Sequence, residues 1–448
     1  MIASIPSDDL IMTTTTAKPP APPSQARSII SFFSGNLGAT IISLVASLLV
    51  TRWTAPYQMG LWNFALLFVT YVSALQLGVF NGLNRQLPYY VGRGEVEKSL
   101  RMAEVAYAWC MLLSIVSVAV LVVVALYLWH ESKWDVLFTT LAIGTVLVCS
   151  WSLQYLTVSY SANAKFGQLA RKSMLVAAIG LPMALLVRAF DYTGLLVRAA
   201  VLAVLASLAL HNGRPLRARP KWDQTTFVEL VRVGFPIWIL GHLGALFMTL
   251  DRLVLADSPQ ALGYYTIAVQ FGTMSSMIPM AFNAVLYPQM ARQYGENHVA
   301  MDLWSVAMRA SLWASAASIG AGIVAWISIP YVVQLLLPGY TPGIVSAQWA
   351  SLTGLAMGFS VFGNIFNVLG RQYLYLAAAS VGLALFFGAW LLLTKVMQQP
   401  ALVSAAQSML VATFATSMLS AVLSRSTCRS HDRQRDDPTN MLRTSSKP

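Results

Sequence analysis

Apolar stretches of roughly 17 to 26 residues follow one another along this chain, separated by short polar or turn-forming breaks. They lie at about 29–51, 59–82, 103–128, 135–157, 172–188, 193–210, 233–250, 262–287, 304–329, 343–367, 373–394 and 401–423. About twenty such residues are what a helix needs to cross the hydrocarbon core of a bilayer. The fifth stretch is short. The ninth runs to Pro330 and is followed by a further apolar piece, 331–337, which ends at the turn signal Pro338-Gly339. A β-barrel would show short alternating strands instead of continuous apolar runs. The pattern therefore predicts an all-α polytopic membrane protein of about twelve transmembrane helices. Residues 1–26 read as a disordered cytoplasmic tail, with a Thr run at 13–16 and Pro19, Pro20, Pro22 and Pro23. Residues 425–448 read as a basic cytoplasmic tail resting on anionic headgroups.

Composition sharpens this picture. Hydrophobic residues make up 57% of the 448 and charged residues 10%, against about 25% charged in a soluble domain. That excludes a soluble enzyme and a membrane-anchored soluble domain. The net charge of +12 would suggest nucleic acid in a soluble protein. Here it follows from basic residues collecting in inner loops. With the N-terminus inside, 23 Lys and Arg fall on inner segments and 5 on outer ones. Both termini are then cytoplasmic, and the span number is even. Cys110, Cys149 and Cys428 form neither a disulfide framework nor a metal spacing. No cofactor is expected.

The chain divides into two halves. Residues 27–211 and 227–424 each carry six spans, and the basic segment 212–226 links them. Shifting the first half by 203 residues superposes Gly38 on Gly241, Gly60 on Gly263, Gly92 on Gly295 and Gly167 on Gly370. Met59-Gly60-Leu61-Trp62 then answers Leu262-Gly263-Tyr264-Tyr265. Six spans per half keep both halves in one orientation. The two lobes are thus related by a pseudo-two-fold axis along the membrane normal, an arrangement that builds a cavity between them and suits alternating access.

Several short motifs carry a family resemblance. In the first half they are Pro56-x-x-x-Gly60, Leu87-Pro88 and Gly92. In the second they are Gly234-x-Pro236, Asp251-Arg252, Leu262-Gly263-Tyr264-Tyr265, Ala268 and Tyr287-Pro288-Gln289-Met290-Ala291. In order and spacing, over about 27–424, the chain resembles the polysaccharide transport family, the Wzx-type flippases, of the multidrug/oligosaccharidyl-lipid/polysaccharide exporter superfamily. The resemblance implies a bacterial plasma-membrane protein that moves a polyprenyl-diphosphate-linked oligosaccharide repeat unit from the inner to the outer leaflet, for O-antigen, capsule or exopolysaccharide. It further implies that the first and seventh helices line a central cavity. The expected partners are that substrate, membrane lipids, and a polysaccharide polymerase with its chain-length machinery.

A sugar diphosphate crossing the bilayer needs a hydrated, cationic route, and Arg pairs with phosphate in a bidentate fork. Arg198 lies several residues inside the sixth span, where a charge reads as functional unless it snorkels to the headgroups. Arg52 and Arg252 end the first and seventh spans and would place two cations near the outer mouth. Asp251, a polar cavity candidate, adjoins Arg252 and allows a structural ion pair as well. Arg27, Arg232 and Arg85 mark inner helix ends where a diphosphate would enter. Asn36, His242 and Asn283 are polar positions for sugar contact or helix–helix bonding, as are Gln270, Asn364 and Asn367. Arg309 and Arg188 with Asp191 are weaker candidates.

Two other classes remain open at this point. A cation-coupled drug or metabolite antiporter of the same superfamily needs buried carboxylates. Of the 17 acids only Glu104, Asp135 and Asp251 lie in or beside spans, none of them in the first. A membrane polymerase or ligase needs a sizeable outer loop with catalytic groups. The outer loops are short and hold no Ser/His/Asp set, metal cluster or P-loop. A non-enzymatic transporter is the expectation.

Overall fold

The computed structural model describes residues 25–436 apart from Ala164. Side chains are described from Gly38 onward, except those of Gly92, Asp135, Ala284, Pro288, Ala291 and 434–436. Among the described residues all regular secondary structure is helical, with no strand.

The first lobe comprises α1 (Gln25–Trp53), α2 (Pro56–Val72), α3 (Val79–Gly92), α4 (Val96–His130), α5 (Trp134–Ala162), α6 (Phe166–Gly180) and α7 (Ala184–His211). The second comprises α8 (Gln224–Phe247), α9 (Leu250–Leu253), α10 (Pro259–Tyr264), α11 (Thr266–Asn297), α12 (Ala300–Leu336), α13 (Ile344–Ser351), α14 (Thr353–Ala356), α15 (Gly363–Val368), α16 (Gln372–Leu391) and α17 (Ala401–Asp436). Each of the twelve expected spans coincides with a helix or a short helical series. The second span is α2 and α3 joined through a 3-10 turn, Ser73–Gln76. The eighth is α10 running into α11. The tenth combines α13, α14 and α15 with the 3-10 turns Pro338–Gly343 and Met357–Phe362. By length and apolarity, nine described stretches qualify to cross a membrane, and Gly38–Trp53 is a shorter apolar helix. The polar side chains of α11 and the brevity of α6 keep those two out of the nine.

The lobes form one all-α membrane fold with a pseudo-two-fold relation, and the symmetry can be read atom by atom. The Asn63 amide donates to Thr266 Oγ1 at 2.7 Å, and these residues are 203 apart. Gly60 faces the Pro259 carbonyl, and Gly263 faces that of Pro56. A Cβ on either glycine would sit 1.7 Å from the opposing oxygen. Only a residue without a side chain lets two backbones approach so closely. A buried cluster around this point takes Val50 and Met59 from the first lobe and Leu262, Tyr265 and Ile267 from the second.

Elsewhere each lobe has its own core. Trp151, Tyr155, Leu83 and Met102 centre the first; Leu303, Phe362 and Ile365 centre part of the second. Large apolar side chains such as Val120, Val123, Ile323 and Val324 stand exposed on α4 and α12. In water they would be an aggregation surface; against lipid tails they are at home.

The connection between lobes is non-helical from Asn212 to Asp223. Asp223 then caps α8, its carboxylate accepting from the Thr225 and Thr226 backbone amides and from both hydroxyls. Those hydrogen bonds, Thr226 first, hold its carboxyl below the ordinary carboxylate range. The expected linker, 212–226, thus gives its last three residues to α8.

The far end of the chain differs from the sequence reading. The stretch from Arg425, expected as a tail on the membrane surface, continues α17 to Asp436. The tails at 1–24 and 437–448 lie outside the described residues. The extension docks onto the second lobe. Asp432 accepts from the Ala300 and Met301 amides at 2.8 and 2.9 Å, capping the start of α12. Arg425 lies over the Trp304 ring at 4.9 Å, and Cys428 is fully buried in the lobe's core. Asp432→Ala is expected to cost about 1–2 kcal/mol, the value of a helix cap reinforced by the helix dipole. A lowered unfolding temperature of the purified protein in detergent checks this; an unchanged one contradicts it.

Candidate functional site

A polar seam follows the contact between the lobes. Three features create it: breaks in the helices, close backbone approach, and hydroxyl or amide side chains facing across.

At the end away from the linker, Gln270 of α11 is 7% exposed, and its amide donates to Ser47 and Thr51 of α1 at 2.9 and 2.7 Å. Tyr340 donates to the Thr54 carbonyl at 2.8 Å. Together with Gly60 and Gly263, these contacts close that end. Midway, the Tyr71 hydroxyl meets Thr249 Oγ1 at 2.6 Å. The second span breaks here. Leu77 and Gly78 both have positive φ (52° and 83°), and Gly78 packs directly on Gly234 of α8. The Trp238 indole donates to the Ala74 carbonyl at the break, at 3.0 Å. His242, one turn on, places Nδ1 3.0 Å from the Trp238 carbonyl and its ring against the indole.

Toward the linker, Gly82 packs on Leu230, and Tyr90 donates to Glu229 at 3.3 Å. Arg85 and Arg232 lie within three residues of the Gly82–Leu230 contact, on facing helices. Both are exposed. The contacts Gly78–Gly234 and Gly82–Leu230 run antiparallel, so Arg85 and Arg232 fall on opposite sides of the Gly82–Leu230 contact.

The other predicted residues are distributed differently. Arg52 is exposed on the last turn of α1. Arg252 is held within the second lobe. Its Nε lies 3.7 Å from Asp251, its Nη2 donates to the Met248 carbonyl at 2.8 Å, and Tyr265 donates to the same Asp251 at 3.0 Å. Asn283 is also internal to that lobe, donating to Ser360 at 2.8 Å and accepting from Asn364 at 3.0 Å. Arg188 approaches the Trp53 ring at 6.0 Å, and Arg309 is exposed. The side chains of Arg27 and Asn36 lie outside the described residues.

Arg198 sits inside the first lobe. Pro182 ends α6, and Ala184 N bonds to the Leu181 carbonyl. The Gly180 carbonyl is therefore left without its helical partner. Arg198 takes it up, donating from Nε and Nη2 at 3.2 and 3.1 Å. Arg198 shares a cavity of about 380 Å³ with Lys172, Ser173, Ser43 and Thr157.

Sequence reasoning missed two groups. Glu229 escaped because it precedes the seventh apolar run. Lys172 looked like one more inner-loop cation; its place as the first residue of the fifth apolar stretch was the available signal. Among the described residues no group of three or more His, Cys, Asp or Glu could hold a metal ion.

Comparison with known proteins fits this geometry. The profile of the family described as polysaccharide biosynthesis protein matches residues 26–293, more than half of the chain. The chain belongs to this family. No curated protein matches it in sequence. Solved structures share its fold at low identity. One is a multidrug resistance MATE family transporter of the MOP superfamily in an inward-facing conformation, with TM-score 0.68, 14% identity, and 90% of this chain and 99% of that one covered. Another is the lipid II flippase MurJ in an inward closed conformation, with TM-score 0.66, 11% identity, and 88% and 87% covered. A third is a MOP superfamily transporter from Pyrococcus furiosus, with TM-score 0.63, 13% identity, and 91% and 96% covered.

Proposed function

We propose that the protein is a flippase for a polyprenyl-diphosphate-linked oligosaccharide repeat unit in surface polysaccharide assembly, without enzymatic activity of its own. The observation that carries the reading is membership of the polysaccharide biosynthesis family by a chain built as two lobes around a polar seam. The likeness in fold to a protein described as a lipid II flippase points the same way. So does the electrostatics. The acids nearest the seam are already engaged, Asp251 with Arg252 and Tyr265, and Glu229 with Tyr90. Arg52, Arg85 and Arg232 remain exposed to meet an anion. A proton- or sodium-coupled drug antiporter calls for the opposite: an acid free to take up the cation.

In this reading the protein sits in the bacterial plasma membrane with both termini cytoplasmic. The diphosphate enters at the linker end beside Arg85 and Arg232 while the prenyl tail stays in lipid. The lobes then rock about the pseudo-two-fold axis and release the head group at the other leaflet, where a polymerase and chain-length machinery take it. The test is gene deletion with analysis of polyprenyl-linked intermediates, using a membrane-impermeant reagent to report the leaflet. Single repeat units trapped on the inner leaflet and lost surface polymer are expected. Normal polymer with new sensitivity to cationic drugs would favour the antiporter. Replacing Arg52, Arg85 and Arg232 together by Gln should lower transport at least about tenfold, since each phosphate contact from Arg is charge-assisted. Parental transport by a correctly inserted triple variant would refute the cationic entry route.

A further inference from the structure

The cavity inside the first lobe is electropositive and has no assigned role. It lies among α1, α5, α6 and α7, away from the α3–α8 seam. Lys172 and Arg198 both line it, and no Asp or Glu does. Each cation is half-buried. Each is met only by neutral acceptors among the described contacts. Arg198 bonds the Gly180 carbonyl. Lys172 bonds the Tyr160 hydroxyl and the Asn212 carbonyl, with its ammonium 4.9 Å from the centre of the Tyr160 ring.

Arg198, within a membrane-spanning lobe and without a carboxylate, is costly, because carbonyl dipoles offset only part of the lost hydration, and Lys172 brings a second positive charge to the same cavity. Both also retain donors. A guanidinium has five N–H groups and an ammonium three, of which the structure uses two on each. The hydroxyls of Ser43, Thr157 and Ser173 add further donors to the lining. Ser43 and Thr157 are exposed at its edge. The two cations bracket the space: Lys172 and Gly180 are eight residues apart on α6, about 12 Å along the helix. The volume of about 380 Å³ holds an anion with several waters, each of which takes roughly 30 Å³.

We propose that this cavity is a binding site for a small inorganic anion, a halide or phosphate, held against Arg198, linked to Lys172 through intervening water, and separate from the path of the transported substrate. The bound ion supplies the missing counter-charge and ties α6 to α7.

The experiment needs no transported substrate, so its outcome is independent of the flippase reading. The full chain is purified into neutral-lipid nanodiscs in gluconate buffer and dialysed against radioactive chloride or radioactive phosphate. One saturable site per chain is expected, and the tighter of the two probes identifies the class of anion. Arg198→Gln and Lys172→Gln should each weaken binding at least about tenfold, and Arg198→Lys should weaken it less. Absence of saturable binding of both probes overturns the proposal, as does undiminished binding in both Gln variants. Should those variants fail to fold, the parental protein still decides. Its unfolding temperature must rise when the bound anion replaces gluconate, and no rise overturns the site. Displacement of the anion by an isoprenyl diphosphate would place the cavity on the substrate path and overturn its separateness.

Discussion

Leucine at Gly60 and Gly263 is expected to stop transport while each lobe stays folded. The two glycines are where the lobes touch through bare backbone. A Cβ at Gly60 would lie 1.7 Å from the Pro259 carbonyl oxygen, and one at Gly263 the same distance from that of Pro56. No real Cβ tolerates such a contact, and a carbonyl oxygen within a helix start cannot rotate away. The lobes must therefore part at this end. That breaks the Asn63–Thr266 bond and loosens the Gln270 and Tyr340 bridges to α1. Overpacking of this kind costs about 1–3 kcal/mol at each site, which shifts the balance between closed and open forms by about 5- to 150-fold. Carrier cycles that close this end on every turnover should slow by about 5- to 150-fold with one Leu, and by more with both. The closed form is read directly by an Asn63→Cys/Thr266→Cys pair, whose disulfide yield should fall sharply when Gly60→Leu is added. Parental flipping by the double Leu variant, or an unchanged disulfide yield, would show that this contact does not gate transport.

The glycine contact also shows why much of the fold was legible. Twelve apolar runs gave twelve helical segments because a lipid-facing helix must be apolar on its outside whatever it packs against. Gly60 and Gly263 stood out at a spacing of 203 because close backbone approach tolerates no other residue. Features set by tertiary packing were invisible. The dipole cap from Asp432 to α12 joins residues more than 130 positions apart, so nothing local distinguished the end of α17 from a basic tail.

The candidate site was legible in kind, and its layout was hidden. Depth within a span marks a cation as unusual but does not say what surrounds it. Arg198 lies in the first lobe because the Pro182 break frees a carbonyl on the neighbouring helix, and that partner cannot be read from the sixth span itself. Arg85 and Arg232 flank one interlobe contact only because Gly82 lets α3 lie directly on α8. Lys172 was masked by the rule that explains most inner cations.

Arg252→Gln is expected to destabilise the protein by about 3 kcal/mol, and Asp251→Asn added to it to restore most of that loss. The Asp251 and Arg252 side chains are 13% and 26% exposed. Removing the cation leaves a largely buried carboxylate facing only the Tyr265 hydroxyl and the Arg252 backbone amide. Breaking such a pair costs about 3–5 kcal/mol when fully buried, and the residual exposure and the 3.7 Å separation argue for the lower end. With both charges removed, the neutral side-chain amide that replaces the carboxylate can still accept the tyrosine bond, so the penalty disappears while the cation stays absent. The double variant therefore separates two roles that the single one confounds. If Arg252 only balances the Asp251 charge, the double variant unfolds near the parental temperature and transports normally. If it also meets the diphosphate, the double variant is stable yet slow. Equal unfolding temperatures for parent and Arg252→Gln in the same detergent would sink the pairing argument, because the carboxylate would then have never depended on its neighbour.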